Sequence, residues 1–79
     1  MDRKEIMNSL QEIVRETVDN EELILHDDTV ASDVEGWDSL AQVIIVGEIQ
    51  NTFGVKFSSL EMSRFDNVGQ LVDAIMTKS

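Results

Sequence analysis

The chain has 79 residues and carries 16 acidic against 6 basic side chains, so its formal net charge is −10. A surface this negative repels nucleic acid phosphates and anionic lipid head groups, which argues against partners of either kind. There is no cysteine and only one histidine, which excludes a disulfide framework and a cysteine nucleophile and argues against a metal centre.

A chain of this length has room for one hydrophobic core, so we expect residues 1–79 to form a single domain. The longest apolar run, residues 43–46, is far too short to cross a membrane, and no signal-peptide pattern is present. We therefore expect a soluble, cytoplasmic monomer without membrane insertion. Most enzymes need more chain than this to enclose a substrate, which favours a carrier, an adaptor or an inhibitor.

The negative charge is concentrated in the middle of the sequence. Residues 1–15 and 56–79 each contain three basic and three acidic side chains, whereas residues 16–55 contain ten acidic and no basic ones. A partner protein that recognises this acidic band is expected to present a basic patch.

The first predicted element is an amphipathic helix over residues 2–18, ended by Asp19 and Asn20. Its apolar side chains recur at helical spacing: Ile6, Leu10, Ile13, Val14 and Thr17. A long loop over residues 21–37 follows, because this stretch is acidic and has no sustained period. Loops of this length in small domains tend to be functional. We expect four loop residues to point into the core: Leu23, Ile24, Leu25 and Val30.

Asp38 is predicted to cap a second helix that begins at Ser39, runs to about Phe53 and stops at Gly54. Steps of about 100° per residue place apolar side chains on two opposite stripes of this helix. The first stripe contains Ile45, Val46, Ile49 and Phe53. The second contains Leu40, Val43, Ile44 and Gly47. The first stripe, with its aromatic residue, is typical of a core face. The second is either buried under the loop or kept for a partner or an apolar guest.

The remaining elements are short. Residues 55–57 form an extended connection, and Ser58 and Ser59 can cap a brief helical turn. Asn67, with Gln70 three residues later, resembles a capping box at the start of a last helix. The predicted inner face of that helix contains Val68, Leu71, Val72, Ile75 and Met76. The fold class is therefore all-α: a small bundle of three main helices plus one short helix, with a long loop between helices one and two.

Ser39 lies in the first turn of the second helix, directly after the acidic loop, so we expect its hydroxyl to be exposed. A phosphate at this position meets unpaired amide hydrogens and the positive end of the helix dipole. Nothing in the sequence brings His26 near as a base, and no Gly-x-Ser-x-Gly elbow surrounds Ser39. The local chemistry favours modification over catalysis, although a serine after aspartate at a helix start is most often part of a cap.

The sequence Gly-Trp-Asp-Ser-Leu at positions 36–40 resembles the acyl carrier proteins. The resemblance continues through Val43, the pair at 48–49, Phe-Gly-Val at 53–55 and the opening of the last helix at 67–71. It implies that Ser39 is esterified with 4′-phosphopantetheine from coenzyme A by a phosphopantetheinyl transferase. The terminal thiol of that arm carries acyl groups as thioesters. The chain would then be a carrier and a substrate of the transferase, and not an enzyme.

The resemblance also implies a docking surface for the transferase and for acyl-loading and acyl-processing enzymes. The expected partner-binding residues are Asp38, Leu40, Val43, Ile44 and Glu48. Members of the family are acidic and meet basic patches on their partners. Here Glu48 is the one acid on the second helix after Asp38, which places most of the docking charge in the loop.

An acyl chain in this family can fold back between the helices, where Val43 and Gly47 are candidate lining residues. Arg64 and Phe65 are candidates for bordering the arm, and Trp37 is predicted to anchor the loop on the bundle. The cargo is open: an acyl group of fatty-acid, polyketide or other specialised biosynthesis. The Gly-Trp pair before Asp-Ser-Leu resembles stand-alone carriers of specialised pathways.

Two alternatives remain. An aminoacyl carrier, D-alanyl or peptidyl, shares the modified serine. In a different class, an unmodified acidic adaptor binds a basic protein through the stripe that contains Leu40. A calcium site is a poorer interpretation, because the acidic loop lacks the alternating ligands, central glycine and terminal glutamate of an EF-hand.

Overall fold

The computed structural model describes residues 2–62 and 64–78, with the backbone alone at Ser59. Within that part of the chain there is no strand and the predicted all-α bundle is confirmed, with three long helices and one short one. The helices are Arg3–Val18 (α1), Ser39–Phe53 (α2), Ser59–Met62 (α3) and Val68–Lys78 (α4). None of the helices in these residues is both long enough and apolar enough to cross a membrane.

Local hydrogen bonds fix both ends of α1. The Asp2 carboxylate accepts a hydrogen bond from the Glu5 amide at 2.8 Å, which makes Asp2 the cap and not the first helical residue. At the other end Asp19 adopts the left-handed conformation with φ of 55°, and its amide donates to the Arg15 carbonyl. The predicted stop at Asp19 is therefore confirmed.

The core lies where α1 packs against α2 and α4. The side chains without solvent exposure come from all three helices: Ile6, Leu10, Val14, Ile45, Ile49, Val72 and Ile75. Val46 and Phe53 are half-buried against this cluster. The first stripe of α2 is therefore its core face, as predicted.

Gly54 ends α2 with φ of 68°, and its amide donates to the Gln50 carbonyl at 3.0 Å, as predicted from the sequence.

The prediction for the loop between α1 and α2 is wrong at Ile24, which is 61% exposed. Leu25 is buried and Leu23 is half-buried on either side of it, so Ile24 is the one of the three that points to solvent. Val30 is half-buried as expected. Two inward residues were not predicted: Val34, which is 6% exposed, and Thr29, which is 9% exposed. A 3₁₀ turn at Ala31–Asp33, also unpredicted, brings Val34 back to the core.

Main-chain hydrogen bonds join this loop to the start of α4. The Val68 amide donates to the Thr29 carbonyl and the Gly69 amide to the Asp27 carbonyl, both at 2.8 Å. A Cβ atom at position 69 would lie 2.9 Å from the Asp27 carbonyl oxygen, so only glycine permits this approach. Arg3 adds ion pairs to Asp27 at 2.7 Å and to Asp73 at 3.0 Å.

Capping side chains start the last two helices. Ser58 Oγ accepts the Glu61 amide hydrogen and Glu61 Oε1 accepts that of Ser58, which forms a reciprocal capping box. The predicted contribution of the Ser59 side chain lies outside the described atoms. Asn67 caps α4 through the Gln70 amide at 2.9 Å, and Gln70 Oε1 reaches the Asp66 amide, one residue further back than a capping box requires.

The predicted inner face of α4 is confirmed except at its last member. Val68, Leu71, Val72 and Ile75 are buried, whereas Met76 is 40% exposed. Met76 follows Ile75 directly, and one residue turns a helix by about 100°. Because Ile75 points into the core, Met76 is rotated toward solvent.

Gly69→Ala is predicted to destabilise the fold by about 1 to 3 kcal/mol, because the new methyl group meets the Asp27 carbonyl and pushes the loop away. Gly47→Ala is the matched control: no atom lies within 4 Å of its Cβ position, so better helix propensity should stabilise α2 by about 0.5 to 1 kcal/mol. Urea unfolding followed by circular dichroism measures both. Equal effects of the two substitutions would show that the loop does not press on Gly69.

Candidate functional site

The candidate site is at the start of α2. The chain enters it through Gly36, whose φ of 91° favours glycine and whose Cβ position lies 3.3 Å from the Val18 side chain. Asp38 then caps the helix, because its Oδ1 accepts the Ala41 amide hydrogen at 2.9 Å. Ser39 is the first helical residue and is exposed, as predicted.

A cleft of about 470 Å³ lies beside Ser39, and we call it the serine cleft. Segments distant in sequence supply its walls: the loop, the start of α2, the end of α3 and the start of α4. Its lining residues include Thr29, Trp37, Asp38, Gln42, Met62, Phe65, Asn67 and Leu71. The fold therefore places one exposed hydroxyl beside a cleft of mixed polar and apolar character.

Trp37 connects the loop to α2 and forms part of this cleft. Its indole Nε1 donates to Gln42 Oε1 at 2.6 Å, and its backbone amide donates to the Val34 carbonyl at 3.2 Å. The ring is half-buried against the core. The predicted role of Trp37 as an anchor for the loop is confirmed.

A second cavity of about 500 Å³, the helix groove, lies between α2 and the chain around α3. Its walls are mostly apolar and include Val43, Val46, Gly47, Phe57 and Met62. Val43 and Gly47 were expected there from the sequence. Two residues, Gln42 and Met62, line both cavities, so the serine cleft and the helix groove meet at these side chains.

The second stripe of α2 is exposed and not covered by the loop. The exposed fractions of Leu40, Val43 and Ile44 are 72%, 69% and 48%. Glu48 is exposed further along the helix. The alternative in which the loop buries this stripe is therefore excluded, and α2 presents an apolar surface next to Ser39.

Half of the basic side chains form ion pairs with acids of this chain. Arg3 pairs with Asp27 and Asp73, Arg15 with Glu12, and Lys78 with Glu61. The acids of the loop nearest to α2 are exposed, and of these Asp33 also caps the 3₁₀ turn by accepting from the Val30 amide. Residues 2–62 and 64–78 contain no group of three or more His, Cys, Asp or Glu side chains placed to hold a metal ion.

A family model described as the phosphopantetheine attachment site matches residues 8–75. The chain belongs to this family. A solution NMR structure of holo acyl carrier protein from Geobacter metallireducens is also similar, with 29% sequence identity and a TM-score of 0.83. The match covers 91% of this chain and 83% of that chain. Comparison with curated protein sequences finds no match.

The protein is thus a carrier of the phosphopantetheine-attachment type, in the acyl carrier protein family, and its prosthetic group is 4′-phosphopantetheine. The residues at the start of α2 fit this group. Ser39 offers an exposed hydroxyl, and the first-turn amides of a helix have no acceptor within the helix and favour a phosphate. The serine cleft gives an attached arm room beside the helix.

Sequence reasoning missed part of the wall of this carrier's cavities. Gln42 lies three residues after Ser39, a spacing that puts two side chains on one helix face, and this signal could have found it. Thr29 had no such spacing signal. Its hydroxyl accepts from the His26 amide and its amide donates to the His26 carbonyl, but the bond that joins this turn to α4 comes from the distant Val68 amide. Phe65 lines the serine cleft, whereas Arg64 is exposed and is not among the lining residues.

The end of α4 holds α3 in place beside the helix groove. Lys78 Nζ lies 2.8 Å from Glu61 Oε2 and 5.1 Å from the centre of the Phe57 ring. Phe57 also packs edge-on against Phe65, with ring centres 5.8 Å apart. The hydrogen bond from Lys78, followed by that from the Ser58 amide, lowers the pKa of Glu61 from its ordinary value of 4.5.

Glu61 should therefore stabilise the carrier in a pH-dependent way. A carboxylate with a lowered folded-state pKa stabilises fully above its unfolded value, and this contribution is lost as the pH falls below about 4.5. The midpoint temperature of Glu61→Gln should lie below that of the unchanged protein at pH 7, and the difference should shrink in acid. Glu22→Gln, on an exposed loop carboxylate, controls for the loss of one charge. A difference between Glu61→Gln and the control that is constant across this range would contradict the role of the ion pair.

Proposed function

We propose that Ser39 bears 4′-phosphopantetheine and that the protein presents acyl groups on this arm to partner enzymes. The observation that carries the proposal is the exposed Ser39 hydroxyl at the capped start of α2, beside a cleft and within the residues that the family model matches. When bound, the group supplies a thiol that holds acyl groups as thioesters. This accounts for thiol chemistry in a chain without cysteine.

Attachment needs little from the carrier beyond a correctly placed hydroxyl. A bond forms between Ser39 Oγ and the pantetheine-side phosphorus of the coenzyme A diphosphate. The P–O bond to the second phosphate breaks, adenosine 3′,5′-bisphosphate leaves, and a base of the transferase takes the serine proton. Asp38 already holds the Ala41 amide with one oxygen, so its first role is to fix the helix start on which Ser39 is carried. The positive end of the α2 dipole favours the phosphodiester that results.

We propose that the transferase and the acyl-loading and acyl-processing enzymes dock on the exposed side of α2. Leu40, Val43 and Ile44 supply the apolar contact, and their exposure leaves them available for it. Charge lies on both sides of this stripe, at Asp38 and the loop acids before it and at Glu48 after it. Partners with basic patches are steered by these acids and then held by the apolar side chains.

The apolar helix groove favours an acyl chain over an aminoacyl group, because an aliphatic tail gains from leaving water whereas an amino acid cargo needs no such groove. The pathway is one of fatty-acid, polyketide or other specialised biosynthesis. In this proposal residues 1–79 act as one carrier domain, monomeric and cytoplasmic, without nucleic acid partners. Its partners are proteins.

Incubation of the purified protein with coenzyme A and a broad-specificity phosphopantetheinyl transferase should increase its intact mass by one phosphopantetheine group. Ser39→Ala should remain unmodified, because the accepting hydroxyl is lost. Ser32→Ala, which removes an exposed serine from the same acidic loop, should be modified like the unchanged protein. The absence of any adduct would overturn the proposed function and leave the acidic adaptor as the better one. An adduct that persists in Ser39→Ala would place the attachment on another residue and overturn the role of Ser39.

The docking proposal predicts unequal effects of charge reversal. Glu35→Lys and Glu48→Lys should each lower kcat/KM of the transferase by about 3- to 10-fold at low salt, and the loss should diminish as salt is added. Glu16→Lys is the control. It reverses an exposed acid on α1, the helix that packs against the buried side of α2. A control that matches the other two would mean that net charge matters and its position does not.

A further inference from the structure

Gln42 occupies a special position between the two cavities. It lines the serine cleft and the helix groove, and it lies one helical turn after Ser39. The rest of the helix groove is mostly apolar, so Gln42 places an amide at the mouth of an apolar cavity. Met62, which is 9% exposed, is the other residue common to both cavities and has no hydrogen-bonding group to offer there beyond its sulfur.

The orientation of the Gln42 amide follows from its neighbour. An indole N–H can only donate, so the group that faces Trp37 Nε1 at 2.6 Å must be the amide oxygen. The two hydrogens of Nε2 are then directed elsewhere, and they meet no acceptor within the described residues. Nε2 is not sealed from solvent either, since no buried side-chain nitrogen or oxygen there lacks a partner. Nε2 is thus an unpaired donor on a side chain that lines both cavities and is held through its amide oxygen.

We propose that Gln42 positions the cargo by donating a hydrogen bond from Nε2 to a carbonyl oxygen of the bound acyl group, whose alkyl tail lies in the helix groove. The inference rests on the proposed function and adds to it a residue that binds the carbonyl end of the acyl group. Trp37 supports this role, because the hydrogen bond from its indole to the amide oxygen restrains the orientation of the Nε2 donor.

The chemistry of the groove selects this ligand. An aliphatic tail that enters the groove displaces water from the mouth, and an amide donor left there without an acceptor costs free energy. A carbonyl directly before the tail satisfies the donor. Acyl groups have such a carbonyl at the thioester, and 3-oxoacyl groups have a second one two carbons further along, so the two sources share one chemistry and can be told apart by comparing cargoes.

The experiment uses the transferase to load ¹⁵N-labelled protein with phosphopantetheine, hexanoyl-phosphopantetheine or 3-oxohexanoyl-phosphopantetheine from coenzyme A or its matching acyl derivatives, and intact mass confirms each adduct. The Gln42 side-chain amide signals and the single indole N–H signal of Trp37 are then recorded by NMR. In parallel, the rate at which hydroxylamine cleaves the hexanoyl thioester is measured for the unchanged protein, Gln42→Glu and Gln42→Leu. Gln50→Glu is the matched control. Gln50 likewise accepts a hydrogen bond through Oε1, in its case from the Phe57 amide, and it lines the helix groove but not the serine cleft.

The Gln42 amide signals should move when an acyl group is added to the arm. A shift with both acyl groups assigns the thioester carbonyl, and a shift with 3-oxohexanoyl alone assigns the second carbonyl. Gln42→Glu keeps an acceptor for Trp37 and removes the donor, so hydroxylamine should cleave its thioester about 3- to 10-fold faster while the indole signal stays in place. Gln42→Leu should show the faster cleavage together with a moved indole signal, and Gln50→Glu should show neither.

Three results would overturn the inference alone. One is a loaded protein whose Gln42 signals do not move with either acyl group. Another is a shift already complete with unacylated pantetheine, which would assign the donor to the arm. The third is an equal acceleration of cleavage in Gln42→Glu and Gln50→Glu, which would reflect added charge. The absence of any adduct by mass would instead overturn the proposed function, and the inference with it.

Discussion

Two main-chain hydrogen bonds decide where the cavity beside Ser39 lies. The amides of Val68 and Gly69 are at the start of α4, where a helix offers them no acceptor. The carbonyls of Thr29 and Asp27 accept them at 2.8 Å. The loop therefore does for α4 what a side-chain cap does for α2, and in doing so it crosses to the side of the bundle on which Ser39 is exposed. Without this attachment the serine cleft would lack one wall.

The parts of the fold that were predictable from the sequence are those that depend on neighbours within four residues. Asp38 reaches the Ala41 amide and Asn67 the Gln70 amide, each three positions ahead. Gly54 closes α2 on the Gln50 carbonyl. Because such bonds are local, residue type and spacing were enough to place the start and end of α2 and the start of α4, and with them Ser39.

The loop was less predictable because its conformation depends on distant partners. Ile24 and Val34 are both apolar, yet Ile24 is exposed and Val34 is buried. Residue type does not separate them. The residue after Ile24 is tied to α1, because the Leu25 amide donates to Gln11 Oε1, and the 3₁₀ turn directly before Val34 returns that residue to the core. The pairing of Trp37 with Gln42 escaped prediction for a related reason. It joins residues five apart across a helix start, where the irregular loop ends and the helical spacing has only begun.

Helix α2 has three surfaces with separate tasks: Ile45 and Ile49 hold the core, Leu40 and Ile44 face outward, and Gly47 borders the groove. Nothing outside the helix's own backbone lies within 4 Å of the Cβ position of Gly47, so a methyl group there would occupy space in the groove and meet no core side chain. A larger side chain at this position would reduce the volume of the groove further. The size of the residue at position 47 is therefore expected to limit the length of the guest that the groove accepts, at a place on α2 about two helical turns away from Ser39.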